Sequence, residues 1–169
     1  MPNALVFKSF AFDQVRHGFY SPSRSDFLWG KDIVVGRCNK CETSGNIGID
    51  CTCGLYGSPN VETIDEYHTF PNSVLAVMNT YGRLDIWTAP DDIPGCYVTR
   101  SWGMQVVFVV SDEINGKPLR SSRLASMLLA MSDEYFGVPA IPLWIAKEMI
   151  RQTWLKPEIN IDPYIPHGG

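Results

Sequence analysis

A chain of 169 residues, 45% hydrophobic and only 19% charged, has enough apolar material for one continuous core and too little charge for a disordered or fibrous segment, so it reads as a single domain over 1–169. Its net charge of −4 argues against a dedicated duplex-DNA binder, which carries a dense stripe of Lys and Arg. No run approaches the ~20 apolar residues of a membrane helix and the opening Met1–Lys8 lacks a signal pattern, so no membrane association and a cytoplasmic setting with reduced thiols are expected.

Residues 5–20 are rich in aromatic and β-branched types with a Gly at the turn, which predicts a strand and its return. Ile33–Val35 predicts a short strand leading into a cysteine-rich segment. Beyond it, Asn60 is placed to cap a helix over Val61–His68, with Glu62, Asp65 and Glu66 in its first turns and Pro71 beyond its end. Ser73–Thr80 and Arg83–Ala89 predict a hairpin around Tyr81–Gly82, and Tyr97–Trp102 with Met104–Ser111 a second strand pair. Met104–Val110 hardly alternates, which implies a sheet covered on both faces. Two C-terminal helices supply cover: one over about Arg123–Phe136, with Leu124, Met127, Leu128, Met131 and Tyr135 as its inner stripe, and one opened by Pro142, with Ile145, Ala146, Met149 and Ile150 inward. The predicted fold is α+β: an antiparallel sheet with a zinc-binding loop at 37–57 and two helices, within 121–156, packed on the sheet.

The chemistry concentrates at Cys38, Cys41, Cys51 and Cys53, spaced C-x2-C, nine residues, C-x-C. Four thiolates complete tetrahedral zinc and leave no open position, which is the structural kind of site. The loop between the pairs, with Gly45 and Gly48, is too polar to order itself, so metal binding supplies its ordering energy, and Arg37 and Lys40 offset the thiolate charge. An iron–sulfur cluster uses the same ligands, and reduced thiols without metal are the third alternative.

Other residues carry weaker signals. Cys96 with His17 or His68 forms a nucleophile pair only if the fold brings them together; a buried inert thiol is the simpler reading. Asp85, Asp91, Asp92, Asp112 and Glu113 stand near predicted turns, where carboxylates are solvated. The chain holds no G-x-S-x-G, phosphate-loop, dinucleotide or zinc-deaminase pattern. Trp102, between Ser101 and Gly103, is placed like an exposed tip that anchors a partner. Residues 1–40 hold Lys8, Arg16, Arg24, Lys31, Arg37 and Lys40 against Asp13, Asp26 and Asp32, a basic front able to meet phosphate.

The block Gly36-Arg37-Cys38, then Asp50-Cys51-Thr52-Cys53-Gly54-Leu55-Tyr56-Gly57, a short helix, and Gly82-Arg83-Leu84-Asp85-Ile86-Trp87 resembles a group of small actinobacterial and phage proteins with no assigned activity. The likeness spans roughly residues 16–110, is most specific at Cys-Thr-Cys-Gly-Leu-Tyr, and implies a phage-encoded accessory protein acting on a host factor. The leading expectation is a non-enzymatic, zinc-stabilised module recognising a protein partner through Trp102, Arg24 and Arg37. A nucleic-acid binder using the basic front, and a small hydrolase or transferase, are the alternatives.

Overall fold

A computed structural model describes residues 4–13, 15–21, 24–36, 54–67, 73–88, 96–111, 113–114, 117–118, 126–127, 130–154 and 162–163. The N-terminal part forms an antiparallel meander of β1 (Leu5–Asp13), β2 (Gly18–Ser21) and β3 (Arg24–Trp29). Asp13 sets the first turn, its Oδ1 accepting the amides of Val15 and Arg16 at 2.9 and 3.0 Å, as Asp side chains do in turns. Two short strands follow, β4 (Val34–Val35) and β5 (Leu55–Gly57), and then the helix α1 (Val61–Tyr67). Asn60 does not cap α1 with its side chain as expected. Its Oδ1 accepts the amide of Tyr97 at 2.8 Å, tying the helix start to the sheet.

The expected hairpin around Tyr81–Gly82 does not form, and neither does the expected second strand pair. β6 runs unbroken over Ser73–Thr88 and β7 over Tyr97–Val110, and the two pair with each other along their length. The glycine that suggests a reversal instead makes a bulge, where the register shifts between Tyr81 and Leu84. Gly82 has φ +75°, a conformation only glycine adopts without strain, and a Cβ there would lie 2.8 Å from the Trp102 ring.

The large sheet has the order β10-β7-β6-β1-β2-β3, β10 being Ala140–Ile141; β8 (Glu113–Ile114) and β9 (Lys117–Pro118) form a separate two-stranded sheet. Most pairings are antiparallel, but β10 joins β7 in parallel and β11 (Asp162–Pro163) joins β6 in parallel. Beside this path, β5 pairs with β7, and its next residue, Ser58, exchanges two backbone hydrogen bonds with Phe7 of β1. One end of the sheet therefore curls back on itself through β5. Gly57 permits this approach, because a Cβ there would meet Val6 Cγ2 at 2.8 Å and the Phe7 carbonyl oxygen at 2.9 Å.

Both faces of the sheet are covered, as the apolar run in β7 requires. On one face Val6, Phe10, Met78, Met104 and Val106 pack with Phe19, Trp29 and Phe136. Phe10 meets Trp29 edge-on at 5.1 Å and Phe19 stacks on Phe136 at 5.0 Å. On the other face Phe7, Leu75, Val77 and Val110 pack with Val61 and Ile64 of α1 and with Ala146 and Ile150 of α2 (Leu143–Trp154). Each such side chain contributes about 1.5–3 kcal/mol on burial. The expected pair of C-terminal helices is thus divided between opposite faces. The first ends in a wide π-helical turn, Ser132–Phe136, closed by the Gly137 amide donating to the Ser132 carbonyl at 2.8 Å. That turn directs Phe136 into the core. Met127, predicted to face inward, is 46% exposed, whereas Met131, Tyr135 and Phe136 pack on the core.

Candidate functional site

Cys38, Cys41, Cys51 and Cys53, together with Arg37, lie outside the described residues, but both flanks of their segment are described. Val34 pairs with Met104 and Val35 with Gly103, and the Gly36 amide donates to the Trp102 carbonyl at 2.6 Å. On the far side, Leu55 pairs with Ser101, Tyr56 with Arg100 and Gly57 with Thr99. The partners along β7 thus run in unbroken succession from Met104 to Thr99. β4 and β5 are two pieces of one strand line, and the cysteine segment leaves and returns at neighbouring positions on it. Ile33 and Val35, immediately before it, are 46% and 44% exposed. Among the described residues no group of three His, Cys, Asp or Glu side chains stands together as a metal site.

Trp102 is half-buried at this junction, its ring over Gly82. Its indole N–H is buried with no acceptor among the described residues. Arg24 begins β3, the opposite edge strand of the sheet, so it does not share the junction with Trp102. Among the tryptophans whose exposure is described, the widely exposed one is Trp144, at 70%. Its position off the Ala146–Ile150–Thr153 stripe of α2 was the available signal for it.

Cys96 is buried and His17 is exposed in the β1–β2 turn. Tyr97 is held by Ser58, which bridges to Phe7, whereas His17 lies beyond Asp13 at the other end of β1, so the fold keeps the two apart. His68 lies outside the described residues, as do Asp91, Asp92 and Lys40.

Asp85 is not a solvated turn carboxylate. With the turn replaced by continuous strand it sits in mid-β6, 2% exposed, accepting from Arg100 Nη2 at 2.6 Å and Nε at 3.1 Å, and from Arg83 Nε at 2.7 Å. Arg100 is itself 1% exposed, so this carboxylate neutralises a guanidinium with almost no water around it. Lys8 is buried too. Its Nζ donates to the Tyr56 carbonyl at 2.7 Å and lies 5.9 Å from the centre of the Trp29 ring, and burial pulls its pKa down from 10.5 to about 8.

A cavity of about 600 Å³ opens between α1, α2 and the strands. Phe7, Ile86 and Tyr97 line it from the sheet, residues 59–62 from the start of α1, and Lys147, Ile150, Arg151 and Trp154 from one stripe of α2. Near its mouth Arg151 donates to both oxygens of Glu148, at 2.9 and 2.6 Å, which holds that carboxyl down at about 2 and raises the guanidinium further, so both stay charged.

No protein-family model, curated protein or solved structure matches the chain. Among the described residues no helix is long and apolar enough to cross a membrane.

Proposed function

We infer that the protein is a non-catalytic recognition module in which zinc, held by Cys38, Cys41, Cys51 and Cys53, acts as a clasp on the segment between β4 and β5, and a protein partner binds around that clasp. The observation that carries this reading is the mounting of the segment on neighbouring positions of one strand line. Cys38 is two residues from Gly36 and Cys53 two residues from Leu55 in sequence, so the sheet has already closed the chain on which a metal acts. Four thiols are the donor set of a closed structural zinc site. Trp102, whose carbonyl holds Gly36, and the exposed Ile33 and Val35 gather at the same edge, and Arg37 follows Gly36 in sequence; together these are the aromatic, apolar and cationic types common in interfaces. Following the likeness to phage proteins, the partner is a host factor.

Of the basic front on which the nucleic-acid alternative rests, Lys8 is buried and Arg16 is tied to Asp13 at 2.6 Å. Elemental analysis of the purified chain is expected to find one zinc per molecule, and a strong chelator to lower its melting temperature. A metal-free preparation whose melting is indifferent to chelator overturns the clasp. Partner capture is expected to fail for the Arg37→Glu, Val35→Glu double variant. Undiminished capture by that variant overturns the assignment of the binding edge.

A further inference from the structure

We propose that the cavity between α1, α2 and the sheet is a binding site for a small amphipathic acid, with an apolar body against Phe7, Ile86, Ile150 and Trp154 and a carboxylate at the mouth against Lys147. Its volume of about 600 Å³ lies within the ~300–1,000 Å³ typical of small-molecule sites. The walls are preformed and their polar atoms are largely engaged elsewhere. Trp154 Nε1 donates to the Leu5 carbonyl at 2.9 Å, fixing the indole, and Asn60 Oδ1 is occupied by the Tyr97 amide. What these walls present inward is therefore mainly ring and aliphatic surface.

The mouth supplies the choice of sign. Its charged lining groups are Lys147, Arg151 and Glu62, and Glu148, just outside the lining, offsets the Arg151 charge. Arg151 is held by Glu148 from outside the lining, which positions the guanidinium but leaves Lys147 as the adaptable cation. Lys147 stands 3.9 Å from Glu62, with side chains 49% and 59% exposed, a pair of the weak surface kind. A ligand carboxylate bound beside buried apolar surface is screened less than Glu62 and is the better partner for that ammonium. This site makes no use of the cysteine segment, so it stands or falls independently of the metal.

The test is calorimetric titration of the full chain with decanoate and, in parallel, with decanol. Saturable one-to-one binding of decanoate is expected, about tenfold tighter than decanol, a ratio equal to one ~1.4 kcal/mol step. Lys147→Glu, a change at an exposed position, is expected to erase the tenfold preference for decanoate over decanol. Ile86→Trp is expected to narrow the cavity and weaken both. The proposal is overturned if neither compound binds, if decanol binds as tightly as decanoate, or if Lys147→Glu leaves the preference intact. Because Lys147 is a surface residue, this last result decides the matter even if Ile86→Trp fails to fold.

Discussion

Beyond the bulge at Tyr81–Leu84, β6 and β7 are held by two different kinds of chemistry. Over Val74–Thr80 and Met104–Val110 the strands are sandwiched between two apolar layers, and burial of Met78, Val77, Met104 and Val110 is the main stabilising contribution. Over Leu84–Thr88 and Tyr97–Ser101 the buried groups among the described residues are mostly polar, Asp85, Thr99, Arg100 and Ser101, with Ile86 the apolar exception. The apolar half tolerates exchange of one hydrophobe for another of similar volume. The polar half does not, because the buried Arg100 guanidinium and the Asp85 carboxylate compensate each other's charge. The return strand of the cysteine segment and β11 attach to this half, where β5 lies against Ser101–Thr99 and β11 beside Asp85.

The sharpest break in that comparison is Asp85→Ala, which leaves the Arg100 guanidinium buried without its carboxylate. It is expected to destabilise the chain by about 3–5 kcal/mol in a denaturant titration. The double variant Asp85→Leu, Arg100→Met is expected to recover most of the loss, since a well-packed apolar pair has no charge to solvate. If the single variant loses no more than a surface substitution, the polar half is not held by this pair.

Gly82→Ala probes the boundary between the halves. The added Cβ would sit 2.8–2.9 Å from Trp102 at a φ of +75°, and a loss of about 1–3 kcal/mol is expected. Fluorescence of Trp102 should shift with it.

Lys8 links the two halves, reaching from β1 to the carbonyl of Tyr56 opposite Arg100. Lowering its pKa from 10.5 to about 8 corresponds to roughly 3 kcal/mol of penalty for the charged form, offset by about 1 kcal/mol from the hydrogen bond. Lys8→Met is therefore expected to raise stability by about 1–2 kcal/mol at pH 7. For the native chain the sign follows from proton counting. Between pH 8 and 10.5 the unfolded chain retains the Lys8 proton and the folded one has lost it, so this contribution to stability rises with pH through that window. The advantage of the Met variant should shrink over the same range.

Much of the secondary structure was legible. Leu5–Asp13 with its return strand, the helix after Asn60 and the α2 stripe of Ala146 and Ile150 follow from local composition and period, which depend on neighbours a few residues away. The two hairpins that sequence suggested are absent because Gly82 and Gly103 mark points where backbone needs room, and a bulge satisfies that need as well as a reversal does. For the same reason Asp85 could not be placed: its burial depends on Arg100, fifteen positions on, meeting it across a strand pair that local pattern had divided.

The sequence by itself determined that the protein is α+β with a sheet covered on both faces, and that four cysteines cluster within 38–53, because apolar periodicity and residue type are written in adjacent residues. Only the tertiary structure decided that β4 and β5 lie end to end on β7, that Asp85 and Arg100 are a buried pair, and that α1 and α2 enclose a cavity. Those facts depend on register and on which distant surfaces meet, and a strand's period of two looks the same whichever partner it finds.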